Sequence, residues 1–237
     1  MQIIDFDIEK GIYSFEFSDL ITESHSHPVV ELIHAKKGSF TVESAGDSFQ
    51  NISFAIIDAN TKHKVHCQNS MLSVLMVESY NPTLLSFLSS RDIEFENGLF
   101  LEKEYARGEA IISATRDLAF SKHLKKPEEE RVATCMAFIE ENELGYKNLI
   151  TSLTDKVFLS ESRISHLFKL HMGVSIKKYL VWNKLKRAIK SYLDENANFT
   201  EASIQNGFFD QAHLSNSFKN VLGISPAKAY NSRILQS

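Results

Sequence analysis

Hydrophobic and polar residues alternate in short runs over the first third of the chain. The runs predict strands at residues 12–17, 31–35, 39–44, 53–58 and 71–77, with turn-forming residues between them. Many short strands at this spacing are typical of a β-sandwich or a small β-barrel. We therefore expect residues 1–80 to form an all-β domain.

The spacing of apolar residues becomes helical after residue 81. Pro82 suits the first turn of a helix that runs to about residue 89, and residues 105–124 repeat apolar side chains at helical intervals. The sequence KKPEEE at residues 125–130 is polar and contains a proline, so it is the best candidate for a linker. Everything from Arg131 onward reads as helix.

The helical half contains an internal repeat with a period of 50 residues. VFLSESRISHLFKLHMGVSIKKYL, from residue 157, aligns without a gap to GFFDQAHLSNSFKNVLGISPAKAY, from residue 207, and seven of the 24 positions are identical. Ser160 in the first copy and Asp210 in the second are good N-cap residues. Gly173 and Gly223 are placed to end the helices.

Each repeated helix follows a shorter one, predicted at residues 148–156 and 200–206, after a gap of three or four residues. This layout predicts two helix-turn-helix units. One continuous helix over residues 175–193 should join them, and its roughly 27 Å can hold two recognition helices near one DNA turn, about 34 Å, apart. Its basic residues, among them Lys184, Lys186 and Arg187, could add contacts to the DNA backbone.

Each repeated helix has a buried stripe and an outward face. Ile164, Leu167 and Phe168 mark the stripe in the first copy. The outward faces carry side chains that can reach base edges and phosphates. They are Ser162, Arg163, Ser165, His166 and Lys169 in the first copy, and Gln211, Ala212, His213, Ser215, Asn216 and Lys219 in the second. A solvated polar surface is the alternative for one such helix, but its repetition favours double-stranded DNA.

Charge is distributed unevenly along the chain. Residues 145–237 contain 13 Lys and Arg against 6 Asp and Glu, whereas residues 1–144 contain 13 against 24. The basic half suits a polyanion such as nucleic acid. The two cysteines form no disulfide framework, the start of the chain is acidic, and no run of 18 apolar residues occurs. We therefore expect a cytoplasmic protein without a signal peptide or membrane span.

The segment HSHPVVELIHAKKG, residues 25–38, points to a different chemistry. Side chains at i and i+2 share one face of a strand, so a regular strand would direct His25, His27 and Glu31 to the same side. A bulge near Pro28 would break this arrangement. Imidazole and carboxylate groups together suit Zn, Fe, Ni or Mn.

The helical repeat resembles the AraC/XylS family of bacterial transcription regulators over about residues 129–237. LSESRISHLFKLHMGVS is similar to the first recognition unit of the family, and GFFDQAHLSNSFKNVLGISP to its signature second unit. Two departures are Thr154 and Ser203, where the family usually has a small alanine, and a basic residue often found near His166 and Asn216 is missing. The resemblance assigns base contacts to Ser162, Ser165, His166, Gln211, Ala212, His213, Ser215 and Asn216.

Members of this family commonly carry an N-terminal barrel of the cupin type, followed by helices that dimerise. The 25–38 segment fits the cupin pattern, and the second cupin element implies a further histidine, for which His63 is the candidate, with His66 behind it. The resemblance implies an α+β two-domain fold. It comprises a cupin-like barrel at 1–80, a helical dimerisation and linker segment at 81–128, and an AraC-type DNA-binding domain at 129–237, with two helix-turn-helix units joined by a long helix.

The expected function is sequence-specific transcription regulation on promoter or operator DNA, controlled by a small-molecule or metal effector in the barrel. A homodimer is the expected assembly, and RNA polymerase is a possible partner. Three interpretations of His25, His27, Glu31 and His63 stay open: a divalent metal site, an effector pocket without metal, or packing alone. No cofactor is required by the last two.

Two other classes of function compete with a regulator. One is a metal-dependent cupin enzyme, such as a dioxygenase or isomerase, with an appended DNA-binding domain. Beyond the candidate metal ligands, however, we find no acid–base pair, nucleophile constellation or phosphate loop in the sequence. The other is a binding protein that has lost its affinity for DNA, since the outward faces carry few basic residues.

Overall fold

A computed structural model describes residues 2–91, 93–120, 127–194 and 198–230 of the chain. It divides into two compact units, one of residues 1–124 with 218–237 and one of residues 125–217. Residues 218–237 are thus grouped apart from the rest of the segment 129–237. Within the described ranges, no helix is both long enough and apolar enough to cross a lipid bilayer.

Antiparallel strands build the N-terminal part of the chain, as the short alternating runs predict. They are β1 (Gln2–Asp7), β2 (Ile12–Ser18), β3 (Val29–Lys37), β4 (Phe40–Ser44), β5 (Asp47–Ile52), β6 (Phe54–Ile57), β7 (His63–His66), β8 (Met71–Glu78) and β9 (Leu99–Glu102). One sheet has the order β1-β2-β8-β3-β6-β9 and the other the order β5-β4-β7. The sequence pattern identified β2, β3, β4, β6 and β8, but not the other four strands.

Two helices cover one face of the larger sheet. They are α1 (Pro82–Ser90) and α2 (Tyr105–Phe120). Val30 and Leu32 of β3 belong to one hydrophobic core with Phe87 of α1 and Ile111 of α2. The alternate residues of β3, including Glu31, point to the opposite face, which is also buried. Because both faces are buried, β3 reads as an apolar run rather than as an alternation.

The segment 81–128 is not purely helical, which corrects the expectation for it. β9 lies between α1 and α2 and pairs with β6, from Phe54 opposite Glu102 to Ile57 opposite Leu99. A strand of four residues carries too little periodicity to be recognised in the sequence. The end of the helix predicted at 105–124, and the first two residues of the predicted linker, lie outside the described residues.

Helices form the rest of the described chain. They are α3 (Glu130–Glu141), α4 (Tyr146–Val157), α5 (Glu161–Met172), α6 (Ile176–Asp194), α7 (Phe199–Gln205), α8 (Gln211–Leu222) and α9 (Pro226–Tyr230). α6 is the predicted connecting helix, and its 19 residues give a length of about 28 Å.

The internal repeat of the sequence is also a repeat of structure. α5 and α8 both have 12 residues and start 50 positions apart. Each helix ends at a glycine in the left-handed region, Gly173 with φ 70° and Gly223 with φ 71°. The turns differ, because three residues separate α4 from α5 and five separate α7 from α8. The expectation of three or four residues is therefore wrong for the second unit.

Three basic residues of α6 make contacts within the protein, whereas Lys177, Lys178 and Lys190 are exposed. Lys186 is buried, with its ammonium group 5.7 Å from the ring centre of Trp182. Lys184 donates a hydrogen bond to the carbonyl of Gly207, and Arg187 forms an ion pair with Glu143.

The two departures from the family pattern are accommodated within their own helices. The Thr154 hydroxyl donates to the carbonyl of Thr151 at 2.7 Å, and the Ser203 hydroxyl donates to that of Thr200 at 2.6 Å. Ser203 is fully buried, so this bond satisfies a polar group that would otherwise be costly in the interior.

Candidate functional site

Three histidines and a glutamate converge inside the barrel; we call them the histidine cluster (His25, His27, Glu31 and His63). β3 begins only at Val29, so the two leading histidines precede the strand and do not lie on its regular face. A short antiparallel bridge positions the first of them instead, because the backbones of His25 and His63 exchange two hydrogen bonds of 3.0 Å. Oε2 of Glu31 lies 3.3 Å from Nε2 of His27 and 3.1 Å from Nε2 of His63.

Backbone carbonyls fix the orientation of all three imidazole rings. The Nδ1 atoms of His25, His27 and His63 each lie 2.9 Å from a carbonyl oxygen two residues away in the sequence, in Glu23, Val29 and Thr61 respectively. A carbonyl oxygen can only accept a hydrogen bond, so each Nδ1 carries the proton. In the neutral ring Nε2 then keeps its lone pair, which is the form of histidine that binds metal ions.

The cluster is almost completely removed from solvent. No member is more than 5% exposed. Burial lowers the pKa of His25 to about 3, so its ring is neutral. Burial alone would raise the pKa of Glu31, but the close approach of His27 and His63 outweighs it and the net shift is downward. The cluster therefore places three buried imidazoles and one carboxylate together.

This donor set fits a divalent transition metal ion. The candidate ligand atoms of the three histidines all lie within 4.8 Å of one another. If Nδ1 is the only protonated nitrogen of His27 and His63, their Nε2 lone pairs face the Glu31 carboxylate, and a cation between them would stabilise this arrangement. Nε2 of His63 has no well-aligned hydrogen-bond partner in the described part of the chain. Imidazole with carboxylate suits Zn, Fe, Ni or Mn.

A polar cavity of about 630 Å³ lies beside residues that neighbour the cluster in sequence. Its lining includes Ser24, Thr61, Lys62 and Lys64. The carbonyl of Thr61 is the acceptor that orients His63. The cavity is large enough for a small polar molecule.

Glu23 links the histidine cluster to the end of α8 within the first compact unit. Its carbonyl accepts from His25, its N–H donates to the carbonyl of Gly223 at 2.8 Å, and its carboxylate lies 2.6 Å from the ammonium of Lys219. A Cβ at Gly223 would lie 2.5 Å from Nδ1 of His25 and 2.7 Å from Cβ of Thr22, so only glycine fits there. Sequence reasoning missed Glu23, since an exposed acidic residue has no motif of its own.

The residues predicted to face DNA lie on the outer sides of α5 and α8. Most of them are exposed, and only Ser165, Ser215 and Lys219 are half-buried. The exposed members are Ser162, Arg163, His166, Lys169, Gln211, Ala212, His213 and Asn216. Ile164, Leu167 and Phe168 are buried, as the stripe predicts. We call the eight exposed and three half-buried side chains together the outward faces.

Besides Lys219, which pairs with Glu23, two members of the outward faces are held by neighbouring residues. Nδ1 of His213 accepts from the N–H of Phe209 at 3.3 Å, and its ring packs edge-on against Phe208 at 5.3 Å. Gln211 accepts from the hydroxyl of Thr200 at 2.9 Å. The Nε2–H of neutral His213 is therefore left as its hydrogen-bond donor.

Comparison with known proteins identifies the helical half. Residues 153–231 match the family model described as a helix-turn-helix domain, of the AraC type. The C-terminal part of the chain therefore contains a helix-turn-helix domain of the AraC type. The curated relatives that match include operon regulatory proteins, which agrees with the expectation of a regulator rather than a cupin enzyme.

Curated relatives match this chain over different lengths. The Msm operon regulatory protein of Streptococcus mutans is 34% identical over 89 residues, which cover 37% of this chain and 31% of that protein. This match thus spans about a third of the relative's length. The probable transcriptional regulator LumQ of Photobacterium leiognathi is 23% identical over 222 residues, which cover 86% of this chain and 89% of that protein.

Solved structures of ToxT have a similar fold. ToxT from Vibrio cholerae superposes with a TM-score of 0.56 over 92% of this chain and 96% of that one, at 12% sequence identity. A further structure of ToxT, with a TM-score of 0.51 and 10% identity over 92% and 93% of the two chains, contains an unsaturated fatty acid. At these identities, the likeness shows the shared two-domain fold alone.

Proposed function

We propose that the chain is a sequence-specific DNA-binding transcription regulator whose barrel binds a divalent transition metal ion as its effector or as the anchor of one. The observation that carries this proposal is the convergence of three buried histidines, whose candidate ligand atoms lie within 4.8 Å of one another, beside the Glu31 carboxylate. An effector pocket without metal would not need every imidazole to expose the same nitrogen. A second candidate effector is a small polar molecule in the neighbouring cavity of about 630 Å³.

The repeated helix-turn-helix supports the DNA-binding part of the proposal. α5 and α8 present matched outward faces, and the segment 145–237 has a surplus of seven positive charges. A basic surface lowers the free energy of binding to phosphates, whereas the outward side chains can discriminate between bases. Two units in one chain are suited to two successive segments of the major groove.

Glu23 supports coupling between the effector and DNA. A ligand that repositions His25 acts directly on the carbonyl of Glu23, and the same residue holds Lys219, one of the outward-face side chains. Metal binding would then change the position or freedom of Lys219. A ligand shifts such an equilibrium only by its differential affinity for the two states.

Metal binding can be tested directly on the full chain. After treatment with a chelator and dialysis, the protein should bind about one Zn²⁺, Mn²⁺ or Ni²⁺ ion in isothermal titration calorimetry. Binding should raise the melting temperature, because a ligand of the native state stabilises it. Glu31→Gln keeps the shape but removes the charge and should weaken binding at least about tenfold. Equal binding by both proteins, or none at all, would overturn the metal assignment.

DNA binding requires a separate experiment. Rounds of selection from a random-sequence duplex pool should enrich one sequence, and the protein should bind it more tightly than a scrambled control at moderate salt. Adding the metal should change that affinity by a factor of about 5 to 150, the usual range of coupling between sites. Equal affinity for all sequences would overturn sequence-specific regulation, and an unchanged affinity with metal would overturn metal control.

A further inference from the structure

Two phenylalanines are the most exposed large hydrophobic side chains among those described. Phe158 is 90% exposed and Phe209 is 88% exposed. Phe158 lies in the turn between α4 and α5, and Phe209 in the turn between α7 and α8. Each helix-turn-helix unit therefore presents one aromatic ring to solvent just before its outward helix. The 50-residue alignment does not pair them, since it pairs Phe158 with the buried Phe208.

Neither packing in the core nor the backbone conformation explains why residue 158 is a phenylalanine. Its φ of 54° places it in the left-handed region, where a side chain is strained and glycine is favoured. In the second unit the left-handed residue of the turn is Gly207, with φ 75°. A strained residue that buries nothing is a reason to look for a role outside the fold.

Phe209 is fixed next to a residue of the outward faces. The backbone N–H of Phe209 donates to Nδ1 of His213, and the backbone N–H of His213 donates to the carboxylate of Asp210 at 2.7 Å. These bonds tie the backbone of Phe209 to the first turn of α8. In helix-turn-helix proteins the N-terminal residues of the recognition helix contact the base edges, so both rings lie at the end nearest the bases.

We propose that Phe158 and Phe209 are DNA-contact residues whose rings pack on thymine methyl groups at the edge of the major groove. This inference rests on the DNA binding proposed above. The thymine methyl group is the apolar feature of the major groove, and phenylalanine is one of the side chains that can contact it. The surplus of seven positive charges in residues 145–237 favours DNA as the occupant of this surface.

The test measures the affinity of the full chain for the DNA selected from the random pool. Phe158→Ala and Phe209→Ala should each weaken binding about fourfold to tenfold, as expected for one or a few lost apolar contacts. The slope of log K against log salt should stay unchanged, because phenylalanine releases no counterion. Lys169→Ala should weaken binding and reduce that slope by about one.

A second set of DNA duplexes locates the contact. Replacing each thymine by uracil removes only the methyl group. It should weaken binding by the wild type and have less effect on the variant that has already lost the contacting ring. Phe49→Ala, a change to an exposed phenylalanine of β5 in the barrel, should leave the affinity unchanged. Far-ultraviolet circular dichroism and thermal melting of each variant verify that it is folded.

The outcomes separate this inference from the proposed function. If Lys169→Ala behaves as expected but both phenylalanine variants bind like the wild type, the phenylalanine contact is wrong and the DNA-binding function stands. If the phenylalanine variants bind DNA normally but no longer activate transcription, the rings contact a protein such as RNA polymerase. That result would also overturn the proposed contact with thymine. Equal losses on uracil DNA in wild type and variants would exclude the thymine contact. If no protein binds DNA selectively, the proposed function itself fails.

Discussion

The histidine cluster and the outward faces differ in how much of their geometry the protein itself supplies. In the cluster no residue is more than 5% exposed, and backbone carbonyls orient every imidazole. On the outward faces most side chains are exposed, and His213 and Gln211 are held by neighbouring residues. A buried site thus shows its chemistry before any ligand binds, whereas an exposed surface takes much of its geometry from its partner.

Removing a buried ring beneath the outward face of α5 should have the largest effect. Phe168 is fully buried and packs on Tyr179 with ring centres 5.4 Å apart. Phe168→Ala leaves a cavity and should lower the free energy of unfolding by about 3–5 kcal/mol. Urea denaturation followed by circular dichroism measures it.

The matched control lies two residues further along the same helix. Leu170 is 68% exposed, so Leu170→Ala should change the free energy of unfolding by less than about 0.5 kcal/mol. If the two variants proved equally stable, the division of α5 into a buried stripe and an outward face would be wrong.

Within the barrel, one strand offers a matched pair of histidines. His63 is buried in the cluster and His66 is exposed on the same strand. His63→Ala removes a candidate ligand and should weaken metal binding at least about tenfold, or about 1.4 kcal/mol. His66→Ala should leave it unchanged, and calorimetric titration with Zn²⁺ compares them. The metal site would have to be moved elsewhere if the two variants lost affinity equally.

The sequence identifies the residues of the histidine cluster, although it gives the wrong reason for their convergence. The sequence argument places His25, His27 and Glu31 on one face of a regular strand, but β3 begins only at Val29. The residues converge instead because an antiparallel bridge between His25 and His63 holds the loop that precedes β3. The cupin pattern supplied His63, which lies 32 residues beyond Glu31 in the chain. A pattern can record such a distant partner, whereas local periodicity cannot.

Other features depend on contacts that no local pattern reveals. Most residues of β5 are exposed on both faces, so its sequence shows no alternation of apolar and polar residues. The strand β9 has only four residues, which are too few to show one. Lys186 is buried although lysine is nearly always exposed, since the rings of Tyr179 and Trp182 lie within 6 Å of its ammonium. The link from Glu23 to Gly223 joins residues 200 positions apart.

The N-caps of the two outward helices should contribute unequally. The Asp210 carboxylate accepts from His213 N–H at 2.7 Å, whereas the Ser160 hydroxyl accepts from Arg163 N–H at 3.4 Å. Asp210→Ala should lower the free energy of unfolding by about 1 kcal/mol, because it also removes a negative charge from a helix N-terminus. Ser160→Ala should cost about half as much. Chemical denaturation compares the free energies of unfolding of the two variants. A larger loss for Ser160→Ala than for Asp210→Ala would contradict the predicted difference between the two N-caps.

Phe158→Gly should have the smallest effect and the opposite sign. Glycine relieves the left-handed strain at φ 54° but makes the unfolded chain more flexible, so the free energy of unfolding should rise by only about 0.5 kcal/mol. Phe158→Leu keeps the strain and an apolar side chain, and should match the wild type in stability. Because the ring is 90% exposed, a loss of stability on its removal would show that it packs within the protein. A more stable Phe158→Gly variant with weaker DNA binding would instead separate what this residue does for the fold from what it does for a partner.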